Sequence, residues 1–312
     1  HVYSMSYEGA IRQHKRNNAD VTIMANPIPE YKVSDFGIIK IDEHFRIIDF
    51  AEKPTDEELI NNFRLTDRVK SSLGIDDPEL NFLGSMGNYI FFRERLERFL
   101  KYPGNDFGND IIPAIRQDGG SLYAYVFNGY WRDVGKVEDY FACNMEFTSE
   151  TPPVSLTRNR IRTSLRFLPG PRIAPNSCVC GSILSAGDEV YSDSVVKNSV
   201  LGYQVVIDRG CKLDHCVLLG SDRNEFYDNE LRKNYITLIG EGSHLEYVIF
   251  DKNVEIGRNV QISAENGTPE EREEKLKSIG LKPYMVYEDG RIEGDFYIEP
   301  ENNILVIGKQ GS

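Results

Sequence analysis

Residues 248–262 read VIFDKNVEIGRNVQI, and their spacing decides the architecture of the second half of the chain. Val248, Val254 and Val260 stand six apart, and Phe250, Ile256 and Ile262 form a second column with the same step. Asp, Asn and Gly occupy positions between them. Further back, Val205, Cys211 and Val217 repeat the interval. An aliphatic every six residues, with turn formers between, is the pattern of a left-handed parallel β-helix. Each six-residue unit makes one side of a triangular coil and points its aliphatic inward. A sandwich of ordinary strands would match one column by chance, but two columns in register favour the solenoid. Coils are expected from about residue 173 to the C-terminus. Two stretches interrupt them: 221–235 (SDRNEFYDNELRKNY), expected as an external loop, and 266–280, whose EEREEKLK is expected to be a solvated helix without chemistry.

Upstream the period changes. Residues 6–18 place Tyr7, Ile11 and His14 on one helical face, and 20–28 (DVTIMANPI) read as a strand ended by Pro27 and Pro29. Residues 36–41 and 45–52 read as a strand pair across Asp42, Glu43 and His44. Residues 56–72 are polar, a helix or loop excursion. The strand 87–92 (GNYIFF) precedes a helix carrying Leu96, Phe99 and Leu100. GNDIIPAIRQDGG then gives a short helix closed by Gly119 and Gly120, SLYAYVFNGYW a strand, and 137–147 a final helix. This alternation predicts an α/β, Rossmann-like domain with ligand chemistry at its strand ends. The expected division is an α/β domain over 1–148, a Pro- and Arg-rich linker over 149–172 and a β-helix over 173–312.

Composition narrows the function. The chain has 312 residues, a net charge of −13 and no apolar run near the length of a membrane span. So acidic a chain argues against a nucleic-acid-binding surface and for a cytoplasmic protein, and any anionic ligand must be held by local Lys and Arg. Five cysteines, an odd number, suit a reducing compartment with free thiols. Cys178-x-Cys180 has no second ligand pair and lacks zinc spacing. The chain opens on His1 in what reads as the middle of a domain, so a preceding segment is expected.

Three stretches of the first half can carry chemistry. In Phe50-Ala51-Glu52-Lys53-Pro54 a strand delivers a carboxylate and an ammonium to its end. Lys53 can hold a phosphate as a point charge, and Glu52 can accept hydrogen bonds from sugar hydroxyls. A plain exposed ion pair is the competing explanation. Gly84-Ser85-Met86-Gly87 lets backbone approach a ligand and offers the Ser85 hydroxyl, or is an ordinary tight turn. Tyr130-Trp131-Arg132-Asp133-Val134-Gly135 follows Asp106-Phe107-Gly108-Asn109-Asp110 by about twenty residues. Asp133 can hold Mg²⁺ against a polyphosphate or serve as a helix N-cap. Trp131 can border a site or fill a core.

In this order, with the six-residue repeats behind them, these stretches resemble the sugar-nucleotide pyrophosphorylases, specifically the glucose-1-phosphate adenylyltransferase family. The resemblance covers nearly the whole chain: HVYSMSY, ADVTIMANPIP, FGIIKID, FAEKP, GSMGNYIF, DFGNDIIP and YWRDVGKVEDYFACNM stand in family order. The loop LLGSDRNEFYDNELRKN is similar to the plant and cyanobacterial kind. The resemblance implies that Glu52 and Lys53 bind glucose 1-phosphate, with Lys53 on the phosphate. It also implies that Ser85 binds glucose, Asp106 and Phe107 shape the sugar pocket, Trp131 borders it and Asp133 holds Mg²⁺. The implied reaction is ATP plus glucose 1-phosphate giving ADP-glucose and pyrophosphate. Implied partners are an anionic allosteric effector and other subunits of a homo- or hetero-tetramer, with no nucleic acid and no membrane.

The departures from the family pattern matter as well. Its glycine-rich, arginine-bearing triphosphate loop is absent, and so is a second metal aspartate expected just before His1. The 312 residues alone are therefore expected not to turn over. Arg166 in TSLRFLPG matches an effector-site arginine, while an interdomain salt bridge is an equal explanation for it. Ser164 stands where a glutamine is expected, Lys309 lies near an effector lysine, and Glu299 replaces another. Other readings are a guanylyl- or uridylyltransferase of the same fold and a non-catalytic regulatory subunit. A β-helix acyltransferase using His215 or His244 is a third.

Overall fold

A computed structural model of the chain describes residues 1–156, 166–221, 227–228, 233–234, 237–263, 268–278, 282, 285–286, 292–293, 295–298 and 304–308. The chain divides into two compact units, His1–Arg132 and Asp133–Ser312.

The first unit is built on a five-stranded mixed sheet. Its elements run β1 (Val2–Tyr3), α1 (Glu8–Arg16), β2 (Val21–Pro29), β3 (Gly37–Ile41), β4 (Ile47–Glu52), α2 (Glu57–Asn62), α3 (Asp67–Leu73), β5 (Leu80–Phe91), α4 (Arg93–Phe99), α5 (Ile112–Gln117), β6 (Leu122–Val126) and β7 (Trp131–Arg132). The sheet order is β4-β3-β5-β2-β6, with β2 and β6 parallel and the other pairs antiparallel. Buried Val21, Ile23, Ile39, Leu83, Ile112 and Ala124 form its main core. β1 pairs with β7, which sets Tyr3 opposite Trp131.

Two expectations are corrected here. Pro27 and Pro29 do not end β2; they pair with Leu83 and Leu80 inside it. β6 accompanies β2 only as far as Ala25, so the prolines lie where one side of the strand has no neighbour and their missing N–H groups break no shared ladder. Gly84–Gly87 is no turn ahead of a strand but the middle of the twelve-residue β5. Against β2, Tyr89 stands opposite Ile23 while Ser85 stands opposite Ala25, a bulge around Gly87, whose φ is +69°.

The second unit opens with the turn at Asp133 and α6 (Val137–Thr148), followed by a parallel β-helix. Register advances by 17 residues per coil, from Cys178 to Val195 to Lys212, and by 32 from Lys212 to His244, where the 222–236 insertion falls. Seventeen is one short of three sixes. The inward column Val190, Val196, Leu201, Ile207, Leu213 and Leu218 therefore steps by six, five, six, six and five. This corrects the column Val205, Cys211, Val217: the third inward residue is Cys216, and Val217 is buried against Phe141 of α6 together with Ile249 and Ile304. The corners carry left-handed residues in line, such as Gly181, Asn198, His215 and Tyr247, with φ of 46–53°. α7 (Pro269–Ser278) is not merely solvated, because Leu276 joins the β-helix core and Arg272 is 4% exposed. Among the described residues no helix is long and apolar enough to cross a membrane.

One core position is a carboxyl. Asp188 is 1% exposed and occupies the register position taken by Val205 and Val254 in later coils. It accepts the N–H groups of Val205 at 2.9 Å and Ser185 at 2.7 Å. Burial outweighs these donors and pushes its pKa up to about 7. A folded-state value above the unfolded one means that the native state holds an extra proton between the two. Its contribution therefore declines as pH rises from about 4 to about 7 and levels off above that. Thermal unfolding of the full chain at pH 5 and 7.5 checks this. The stability of wild type relative to Asp188→Asn should fall toward the higher pH, and a pH-independent difference contradicts the assignment.

Candidate sugar-phosphate site

The first unit brings five of the expected residues together, Glu52, Lys53, Ser85, Asp106 and Phe107. β4 ends at Glu52, and the chain turns at Lys53 with φ +42°, an uncommon left-handed conformation for a lysine. The turn is held by the Lys53 N–H, which donates to the Phe36 carbonyl at 3.1 Å, and by buried Pro54 behind it. Lys53 itself is exposed. The half-buried Glu52 side chain has its pKa raised, first by burial and then by the neighbouring charge of Asp106, with the Lys53 ammonium pulling the other way. The site thus sets a cation and two carboxylates within one another's fields.

The Asp106 side chain caps a π-helical turn over Phe107–Ile111, accepting the Asn109 N–H at 2.6 Å. That turn presents the Phe107 ring to Tyr89, stacked at 5.3 Å and 21°. Ser85 Oγ accepts the Gly87 N–H at 3.3 Å inside the bulge. Burial raises the Tyr89 pKa, and the Glu52 and Asp106 charges raise it further. In a regular strand residues four apart lie about 13 Å from each other; the β5 bulge shortens that separation and brings Ser85 into the electrostatic neighbourhood of Tyr89. Sequence reasoning missed Tyr89. Its signal was Gly87, whose positive φ marks the bulge.

Trp131 is half-buried, 4.9 Å from the Phe36 ring and stacked on His1 at 5.7 Å. Its Nε1 is buried without a hydrogen-bond partner. Phe36 therefore touches both ends of the arrangement, Trp131 with its ring and Lys53 with its carbonyl. Asp133 opens the second unit, where its carboxylate oxygens lie 3.6 Å from where a Gly135 Cβ would stand. It is not the cap of α6, because the N-cap residue is Lys136. Among the described residues no three His, Cys, Asp or Glu side chains converge on a metal position. Asp133 can offer one carboxylate to a Mg²⁺ ion.

Other expected residues fall elsewhere. Arg166 donates to the Ser221 carbonyl at 2.7 Å and lies over the Tyr203 ring at 4.9 Å. Lys309, Ser164 and Glu299 lie outside the described residues. His215 stacks on Tyr247 at 4.9 Å and pairs with Asp214 at 2.7 Å, while His244 pairs with Glu246 at 2.9 Å. The His215–Tyr247 stack joins two left-handed corner residues, which gives His215 a structural place in the coil. Cys178 and Cys180 are exposed and the other three cysteines buried; all five are free.

A family model described as nucleotidyl transferase matches residues 1–150, and one described as GLGC left-handed parallel beta-helix domain matches 166–287. The chain is 34% identical over 278 residues to the glucose-1-phosphate adenylyltransferase small subunit, chloroplastic/amyloplastic, of Triticum aestivum. In both of its parts the chain is similar to the glucose-1-phosphate adenylyltransferase family. The match takes in 84% of this chain and 57% of the wheat protein. The α/β unit lies in the stretch that the first model matches, and the β-helix in the stretch that the second matches.

Proposed function

We propose that the chain carries the sugar-phosphate part of a glucose-1-phosphate adenylyltransferase, an enzyme that joins ATP and glucose 1-phosphate into ADP-glucose with release of pyrophosphate, the activated sugar serving glycogen or starch synthesis; the 312 residues alone are expected not to turn over. The observation that carries this reading is the convergence of Glu52, Ser85, Tyr89, Asp106 and Phe107 beside Lys53. The carboxylates and hydroxyls suit the hydroxyl groups of a hexose, the ring of Phe107 suits its apolar face, and the Lys53 ammonium suits its phosphate.

The chemistry asks little beyond that. The sugar phosphate is already an anionic nucleophile, so no general base is needed, and the work is alignment with the α-phosphorus and neutralisation of charge. Lys53 would grip the phosphate and aim its oxygen. Glu52 and Asp106, as carboxylates, would accept from the sugar hydroxyls and fix the ring. Trp131 would close one side and exclude water. When bound, Mg²⁺ would offset polyphosphate charge, with Asp133 as its ligand from this chain. An anionic effector on Arg166, assembly into a tetramer and a cytoplasmic or plastid location belong to the same proposal, supported by the family resemblance and by the wheat relative's printed name.

Calorimetric titration of the chain with glucose 1-phosphate and with glucose tests the site. The phosphate ester should bind at least about tenfold more tightly, and Lys53→Ala should remove that advantage. Equal affinities for ester and sugar contradict the reading. Where turnover is measured as pyrophosphate release, Lys53→Ala should raise KM for glucose 1-phosphate far more than KM for ATP. The raised Glu52 pKa adds a pH dependence: sugar affinity should fall on acidification at a pH above the usual glutamate range.

A further inference from the structure

Gly108 occupies the second position of the π-turn after its Asp106 cap, and it is buried. A Cβ there would overlap Oε2 of Glu52 and stand 2.8 Å from its Cδ. A Cβ on Gly37 would stand 2.5 Å from the same Oε2. The oxygen thus lies against two bare Cα atoms, contributed by β3 and the π-turn. The two positions differ in what else they touch. An added methyl at Gly37 would also strike the buried Phe50 ring at 2.8 Å, so that glycine serves the core as well. At Gly108 the overlap falls only on Glu52, with Asp106 Oδ1 next at 3.3 Å.

Neither glycine has a positive φ, so backbone conformation does not demand it. In a helical turn glycine is a poorer former than alanine, because it loses more chain entropy on folding. The end of a glutamate side chain can swing aside at little cost. Fold stability therefore favours alanine at this position, while the location of one carboxylate favours glycine.

We propose that Gly108 is a positioning residue whose missing side chain, together with that of Gly37, forms the slot that fixes the Glu52 carboxylate in the sugar-phosphate site. The slot itself rests on geometry alone; its consequence for ligand binding rests on the function proposed above. Glu52 then has one seat rather than several, and a hexose hydroxyl meets an acceptor already in place, which lowers the ordering cost of binding.

The test uses the full chain with Gly108→Ala, Glu52→Asp and the two combined. Gly108→Ala should unfold within about 2 °C of wild type or above it. The carboxyl ¹³C titration of Glu52 should move down toward that of a solvated glutamate, because the displaced group leaves its burial and its Asp106 neighbour. Affinity for glucose 1-phosphate should fall by about tenfold or more. In the wild-type background Glu52→Asp should weaken binding. In the Gly108→Ala background it should strengthen binding, because the shorter side chain withdraws from the methyl. That reversal of sign is something a merely structural glycine would not produce. An unchanged Glu52 titration in Gly108→Ala overturns the slot, and so does a large loss of thermal stability. If wild type binds no sugar phosphate, the functional reading fails, while the carboxyl titration still decides the slot.

Discussion

The seating of the Glu52 carboxylate is the constraint on which the candidate sugar-phosphate site depends. A carboxylate taken partly out of water, with Asp106 nearby, loses stability as an anion unless a cation and hydrogen-bond donors are close. The Lys53 ammonium is supplied by the next residue, whose left-handed turn changes the chain's direction at the strand end. The Phe36 carbonyl holds that turn, and Gly37, the following residue, clears room for the carboxylate. One dipeptide at the start of β3 thus supports both charged groups. A sugar hydroxyl brought to the site would supply the donor that the protein leaves out.

The aromatic side of the site follows from a different device. A twelve-residue strand would spread Ser85 and Tyr89 along its length, but the bulge at Gly87 gathers them. The π-turn does the same for Asp106, Phe107 and Gly108, turning the first toward Glu52's charge, the second onto Tyr89 and the third against the carboxylate. Irregularities of this sort weaken regular hydrogen bonding, and they recur where side chains must be re-aimed.

Much of this was legible in the sequence, though unevenly. The strand pair delivering Glu52 and Lys53 was readable from alternation and a turn, and the β-helix from spaced aliphatics. The 17-residue coil was not, because a step of six fits any short window, and the missing residue shows only when Cys216 replaces Val217 as the inward side chain. Pro27 and Pro29 read as a strand end because local sequence does not reveal which strand edge is unpaired. Gly84 and Gly87 read as a turn for the same reason that Tyr89 went unnoticed: a bulge is defined by its partner strand. The burial of Arg272 and Leu276 in α7 was hidden by a run of charges around them. Asp188 in the coil interior ran against its residue type altogether.

The central claim is that Lys53 and Glu52 grip opposite ends of one sugar phosphate. A crystal structure of the chain soaked with glucose 1-phosphate measures it directly. The account predicts a phosphate oxygen about 3 Å from Lys53 Nζ and a hexose hydroxyl at similar distance from a Glu52 carboxylate oxygen. Sugar phosphate bound elsewhere, or in this cleft with Lys53 turned to solvent, would contradict it.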